Sequence, residues 1–348
     1  MSTAEQASAC SEYVEPMVIW LQFIVCTALI VYSGSRLSMY GDVIAEKTGM
    51  GQTWIGVVLL ASVTSLPELV TGISSVTVYD LPNIAVGDVL GSCMFNLVIL
   101  AVLDIGRKQF PITSLAHQGQ ILTAAFGILL LGLTSICILA GDSVPVLGWI
   151  GIQSFFLLLI YLVAMRVVFT YERRRIAEFL REVSEETRYS HVTKSAAYRR
   201  FAFYALIIVG AATYLPRVAD EIASITGLGG TFVGSILVAL STSLPEVVVS
   251  RAALKMGAVD LAFGNILGSN LFNLAILAID DILYFQGPIL SHISESHAIT
   301  AIAAMTMTAI TMIALVYRSK KRIVFSSWDS LGVVTIYAIT ALILFMRR

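Results

Sequence analysis

The sequence predicts an all-α polytopic membrane protein of ten transmembrane helices, arranged as two five-helix repeats of inverted topology. Three observations carry that reading. Of the 348 residues, 57% are hydrophobic and only 13% charged, with a mean hydropathy of +0.85; so little polar surface does not clothe a water-soluble globule. Apolar runs of about 20 residues, the length that crosses a hydrocarbon core, recur from Met17 to Met346. A long segment also occurs twice, once in each half. A soluble enzyme is thereby excluded as the default. A formal net charge of −1, with no basic stripe interleaved with aromatics, argues against a nucleic-acid partner.

Charged residues and Gly/Pro punctuation divide the apolar runs into spans near 17–39, 52–78, 83–104, 118–140 and 146–170, then 200–216, 230–254, 259–284, 297–317 and 327–346. Residues 1–170 form the first repeat with an N-terminal tail, 171–199 a cytoplasmic linker, and 200–348 the second repeat. The polar stretch from Tyr171 to Arg200, with Glu172-Arg173-Arg174-Arg175 and Glu182-Val183-Ser184-Glu185-Glu186, reads as a solvated helix with i,i+4 pairs. The tail carries Glu5, Glu12 and Glu15 and no Lys or Arg, a poor signal-peptide start, so the first span reads as retained. Cys26, Cys93 and Cys137 lie in apolar runs and Cys10 in the tail, without a CxxC pair, as small buried hydrophobes do. His117, His191, His292 and His297 stand at segment edges without metal spacing and read as surface or interfacial.

Orientation follows from Lys and Arg, which cytoplasmic loops retain. Arg107 and Lys108, the Arg173–Arg200 stretch, Arg251 and Lys255, and Arg318, Lys320, Lys321 and Arg322 all fall after odd-numbered spans. The opposite loops carry Asp80, Asp142, Asp220, Glu221, Asp280 and Asp281, with Arg217 as their basic residue. Both termini are therefore expected on the non-cytoplasmic side, with Arg347 and Arg348 a weak counterweight.

The duplication is specific. Asp42 to Glu68 matches Asp220 to Glu246 without a gap at about half of its positions. After a one-residue shift, Gly87-Asp88-Val89-Leu90-Gly91-Ser92-Cys93-Met94-Phe95-Asn96 matches Gly264-Asn265-Ile266-Leu267-Gly268-Ser269-Asn270-Leu271-Phe272-Asn273. Equivalent points are five spans apart, an odd number, so the copies face opposite ways. That is the plan of secondary transporters, whose sites lie near the midplane where the copies meet.

Glu68 and Glu246 sit inside their apolar runs, with no basic residue at matching depth. A charged group there is expensive, and is functional by default. Two facing carboxylates repel, and a divalent cation relieves the repulsion by taking both as ligands, which suits calcium. Pro67 and Pro245 precede them inside the spans, freeing the carbonyls of Val63 and Ser241 and predicting broken helices along a cation cavity. Thr64 and Thr242 lie four residues before the glutamates, on the same helical face. The same spacing joins Ser92 to Asn96 and Ser269 to Asn273, adding neutral oxygens suited to sodium or to the rest of a calcium shell. Gly87, Gly91, Gly264 and Gly268 form a small-xxx-small pattern that reads as helix packing. Asp88, repeat equivalent of Asn265, reads either as an accessory ligand or as a hydrated acid near the start of its span.

With TSLPE at Thr64–Glu68 and Thr242–Glu246, each followed by a G-[DN]-x-x-G-S-x-x-x-N segment, the chain resembles the calcium/cation antiporter superfamily, particularly its sodium/calcium exchangers. The resemblance spans both halves. It implies a transporter rather than an enzyme, with Glu68 and Glu246 ligating calcium together with Thr64, Thr242 and the carbonyls of Ala61 and Ala239. It further implies that Ser65, Ser92, Asn96, Ser243, Ser269 and Asn273 contribute to the flanking counter-ion sites, shared with the two glutamates, and that spans one and six slide as the gate. The expected function is exchange of calcium for sodium by alternating access, with calcium and monovalent cations as substrates, the lipid bilayer as partner, and no cofactor or obligatory protein partner. The chain departs from the family pattern at Asn273, where sodium-coupled relatives often carry aspartate. Asparagine at both repeat positions resembles the proton/calcium branch, which is the alternative reading. Val63 and Ser241 replace a usual glycine, and Asp88 a usual asparagine. A cation channel lined by a carboxylate ring is the rival of a different class, disfavoured by the inverted duplication; an intramembrane hydrolase using two acids lacks the setting for water activation.

The topology has a direct check. Single cysteines placed at Asp142 and Arg181 should react with an impermeant thiol reagent from opposite sides of the membrane, Asp142 from outside; reaction of both from one side would refute the ten-span arrangement.

Overall fold

The computed structural model describes residues 3–48, 62–105, 110–185, 192–319, 321 and 326–347, with backbone alone for 3–15, 46 and 172–185. Helices dominate: α1 (Thr3–Thr48), α2 (Leu66–Thr77), α3 (Pro82–Ile105), α4 (Gly119–Ala140), α5 (Ile152–Glu185), α6 (Lys194–Thr226), α7 (Gly229–Lys255), α8 (Val259–Leu283), α9 (Ser296–Tyr317) and α10 (Trp328–Met346). Among the described residues, nine helices are long and apolar enough to cross a membrane. The tenth, α2, is described only over its 12 residues, because most of the upstream part of the expected span 52–78 lies outside the described residues.

The boundaries follow local chemistry. Thr193 caps α6, its hydroxyl accepting the Ala196 N–H at 3.3 Å, and Gly227 ends that helix in the left-handed conformation at φ 67°. The sixth span, expected at 200–216, is thus part of a 33-residue helix; of the expected linker 171–199, residues 171–185 belong to α5 and 194–199 to α6, while 186–191 lie outside the described residues. The fifth span begins later than expected. Val146–Leu147 and Ile150–Gly151 pair as a short antiparallel ribbon turned by Gly148 at φ 68°, and α5 starts only at Ile152. A β-branched and aromatic run with a glycine at positive φ favours a hairpin over a helix start.

Burial identifies the centre. The most apolar stretches of α3 and α8 are 83% and 72% enclosed by protein, against 28% for α1 and α10. Helices that are apolar all round belong inside. Around them, α4 and α9 pack side by side, and Leu130, Leu131, Ala301, Ala304 and Met307 join the same core. A second core joins α1 to α6, where Phe23, Cys26, Ile30 and Leu37 meet Ile208, Ala212, Leu215 and Val218. Cys26, Cys93 and Cys137 are buried and free, as expected; the Cys10 side chain is outside the described set.

Glycine permits one close crossing. A Cβ on Gly91 would stand 2.2 Å from the Ser235 carbonyl oxygen and 2.6 Å from its Cα, and one on Gly87 would reach 3.0 Å from Gly234. The first-copy glycines therefore pack α3 against α7. No such neighbour is found for the second copy among the described residues: a Cβ on Gly264 would come no closer than 3.9 Å to another side chain, and one on Gly268 would meet nothing within 4 Å. The repeat equivalent of Ser235 is Val57, outside the described residues.

Gly91→Ala should therefore destabilise the protein by about 1–3 kcal/mol through overpacking, read as a lower thermal midpoint in detergent. Gly210→Ala, with nothing within 4 Å, should not. Equal midpoints for the two variants would contradict the close α3–α7 crossing.

Candidate functional site

The first glutamate is positioned by a helix start. The chain is helical at 62–64, turns at Ser65 and re-enters a helix at Leu66, with Pro67 in the first turn where its missing N–H costs nothing. Glu68 follows in that same turn, where the positive end of the helix dipole favours a carboxylate. The expected break is thus present in the first copy. In the second copy it is displaced: Ala239–Lys255 runs through Pro245 without interruption, and the irregularity is a π-helical stretch at Val233–Val238. Such a stretch adds a residue to the turn and re-aims the helix that follows. The Pro245 ring packs on Gly34 of α1, where a Cβ would lie 2.7 Å from it.

The two copies meet through reciprocal hydrogen bonds. Ser243, from the second half, donates to Glu68 Oε1 at 2.9 Å; Ser65, from the first half, donates to Glu246 Oε1 at 3.4 Å. Ser92 and Thr242 hydroxyls lie 3.4 Å apart, and their repeat equivalents Ser269 and Thr64 lie 3.3 Å apart. Ser269 also donates to Glu246 Oε1 at 3.4 Å. Glu68, Glu246, Ser65, Ser243, Ser92, Ser269 and Thr242 are all 0–1% exposed, and Thr64 is 3% exposed. The sequence-selected hydroxyls and both acids therefore belong to one buried cluster.

Neither acid has a basic partner among the described residues, whose ion pair is Arg217 with Glu221 on the surface of α6. Among the described residues, the second oxygens, Glu68 Oε2 and Glu246 Oε2, have no hydrogen-bond partner, nor does Asn96 Oδ1. Buried oxygens left in this state normally have a cation or water to meet. No three acidic, His or Cys side chains among the described residues lie close enough to hold an ion by themselves. An ion here must draw on hydroxyls and amides as well.

Asp88 belongs to this cluster. It is wholly buried at the seventh position of α3 and its Oδ1 accepts the Thr242 hydroxyl at 2.8 Å, so it is not a hydrated acid at a helix start. Asn265 holds the corresponding place in the other half, within 3.5 Å of the Thr64 hydroxyl and donating to Ser250 at 3.0 Å. Asn96 and Asn273 are fully buried. Ala239 offers its carbonyl to the Thr242 hydroxyl at 3.3 Å; Ala61 lies outside the described residues.

Several functional details escaped the motif reading. Asn270 accepts from Asn96 at 2.9 Å and donates to the Cys93 carbonyl at 3.0 Å, locking α3 to α8 beside the site. Its signal was an amide inside an apolar run at the position equivalent to Cys93. Asp280 and Asp281, expected in a loop, are buried at the end of α8. Asp281 accepts the Ile289 N–H at 2.7 Å and the Gly151 N–H at 3.0 Å, anchoring the ribbon. Asp104, 177 positions earlier, accepts the Ile112 N–H at 2.8 Å over the same eight-residue spacing. Asp281 and Asp104 satisfy backbone donors where helices end, so they need no loop. His297, expected at a surface, is fully buried, with its Nε2 3.2 Å from Asn83 Oδ1. An imidazole with a polar partner can be enclosed at a helix start.

A helical membrane bundle holding two buried glutamates among hydroxyls, with no basic counterpart, has the features of an ion carrier. The chain belongs to the sodium/calcium exchanger protein family, whose model matches residues 18–170 and 198–346. It is an integral, multi-pass membrane protein. It is 28% identical over 261 residues to the inner membrane protein YrbG of Escherichia coli K12, covering 73% of this chain and 76% of that one. It is 27% identical over 270 residues to the putative antiporter CaxA of Alkalimonas amylolytica, covering 77% and 81%. Among solved structures, the sodium-calcium exchanger NCX_Mj superposes with a TM-score of 0.59 at 20% identity, over 94% of this chain and 98% of that one. YfkE does so with a TM-score of 0.62 at 16% identity, over 98% of each. The fold is shared with both.

Proposed function

We propose that this protein is a secondary active antiporter that exchanges calcium for sodium by alternating access around a midplane site containing Glu68 and Glu246. The observation that carries the reading is the pair of reciprocal bonds, Ser243 to Glu68 and Ser65 to Glu246, which joins the acids of both repeats in one cluster. Two carboxylates balance one calcium, and hard oxygens at hydroxyl, amide and carbonyl groups suit its irregular shell. Thr64, Thr242 and the carbonyls of Ala61 and Ala239 complete the calcium set in this reading. Ser65, Ser243, Ser92, Ser269, Asn96 and Asn273 serve the counter-ions, with Asp88 and Asn265 as accessory ligands. The lone oxygens on both glutamates support this assignment.

Coupling follows from competition. Calcium and sodium draw on overlapping oxygens, so loading one ion species displaces the other, and the gradient of one drives the other. Inverted repeats provide the two access states, and α1 with α6 is the moving unit. Support comes from where that unit rests: Gly34 of α1 lies on Pro245, the Thr27 and Ser241 hydroxyls are 2.8 Å apart, and Ala212 of α6 presents its carbonyl to Thr71 at 3.5 Å. Motion of α1 and α6 is thereby linked to both motif helices.

Glu68→Gln and Glu246→Gln should each abolish calcium flux in proteoliposomes while leaving the thermal midpoint near that of the parent, because the amide keeps volume and removes charge. In calcium-free vesicles loaded with sodium, at equal pH and clamped potential, an outward sodium gradient should drive calcium uptake. Uptake that needs a proton gradient and ignores sodium would replace sodium by protons and leave the calcium site standing; near-normal flux in either glutamine variant would remove the site itself.

A further inference from the structure

Two grooves meet at Arg36, outside the glutamate cluster. One, of about 630 Å³, runs along α1 from Phe23 to Arg36 past Ile24, Val31 and Tyr32, and is also lined by Thr27, whose hydroxyl lies 2.8 Å from that of Ser241, next to Thr242. At about 1.5 Å per residue, that stretch is roughly 20 Å long, more than one leaflet of a core about 30 Å thick. The other, of about 670 Å³, lies between the end of α1 and the first turns of α6 and is lined by Arg36, Arg199, Arg200, Tyr40, Phe203 and Tyr204. No acidic side chain among the described residues lines either groove.

The cations are held in place by aromatic rings. Arg36 lies over the Tyr32 ring at 5.6 Å, and Arg200 over the Tyr40 ring at the same distance while donating to the Tyr40 hydroxyl at 3.0 Å. Tyr40 in turn stacks on Tyr204 at 5.9 Å with planes 10° apart, and Tyr32 meets Tyr204 edge-on at 6.0 Å. Rings from both helices thus space the guanidinium groups. A guanidinium offers five N–H donors in a planar fork suited to phosphate, and Arg200 commits one of them to Tyr40. Ala196, in the first turn of α6, also lines this groove, at the positive end of a helix dipole.

We propose that the two grooves together bind an anionic phospholipid, with its phosphate among Arg36, Arg199 and Arg200 and one acyl chain along α1. Charge complementarity selects the headgroup: a zwitterionic lipid brings a cation that the three arginines repel, with no acid among the described lining residues to hold it. Continuity with the apolar groove at Arg36 selects a lipid over free phosphate, since it places hydrocarbon contact directly beside the charge. The bound lipid touches both α1 and α6, so it ties those two helices together at one membrane face. This inference stands on the grooves alone and does not require calcium exchange.

The test is native mass spectrometry of the full-length protein in a neutral detergent, titrated with phosphatidylglycerol or phosphatidylcholine of matched chains. Phosphatidylglycerol should be retained at least about fivefold better, the scale of one basic contact at an anionic surface. Combined Arg36→Gln, Arg199→Gln and Arg200→Gln should erase that preference, whereas lysine at the same three positions should keep most of it, which separates loss of charge from loss of fold. Ala28→Trp, which fills the acyl groove, should weaken retention with all charges present. Equal retention of the two lipids by the parent protein, or an undiminished preference in the glutamine variant, would overturn the proposal. Displacement of the lipid by millimolar inorganic phosphate would also overturn it, by assigning the arginines to a free anion.

Discussion

The structure is organised around one electrostatic constraint: two carboxylates buried in a membrane core with no basic side chain among the described residues to neutralise them. A charged group at that depth costs about 3 kcal/mol on insertion scales, and two close together cost more through repulsion. The protein surrounds them with short hydroxyl side chains, and each glutamate receives one of them from the opposite half of the chain. Hydroxyls satisfy one oxygen of each acid and leave the other unpartnered. A permanent arginine would have stabilised the bundle more, at the loss of any site for a mobile cation.

Everything near the glutamates serves to bring the two halves close enough for those bonds. The enclosed helices α3 and α8 carry serines and asparagines to the same depth, and the Asn96–Asn270 pair joins them directly. Gly91 lets α3 approach the π-helical turn of α7, and that turn sets the direction in which Thr242, Ser243 and Glu246 project. The two flanks nonetheless differ chemically. Asp88 receives the Thr242 hydroxyl on one side, whereas neutral Asn265 stands at the matching place on the other. The site is therefore symmetric in its hydroxyls and asymmetric in its charge.

Much of this was legible in the sequence because membranes restrict the options. Helix positions followed from hydropathy, and six observed helices lie within about three residues of the expected spans, since an apolar run near the required length has few other structures available. The paired TSLPE segments identified both acids, and their hydroxyl neighbours followed from helical spacing. What failed was tertiary. The β-branched and aromatic residues of Val146–Gly151 suit the end of an apolar span as well as a hairpin, and only the paired backbone turned at Gly148 shows the ribbon. Pro245 has the same local sequence as Pro67, yet α7 continues through it and the irregularity lies upstream, in the π-helical turn at Val233–Val238. Asp281 and His297 looked solvent-facing because polar residues at run edges generally are; only the fold shows the backbone donors and the asparagine that enclose them.

In the proposed exchanger the two glutamates make one shared calcium site, not two half-sites that act separately. Equilibrium binding of radioactive calcium to the purified full-length protein, in sodium-free buffer at fixed pH, reads this directly. One calcium per chain is expected, with Glu68→Gln and Glu246→Gln each removing all of that binding. Two calcium ions per chain, with each substitution removing only one of them, would contradict it.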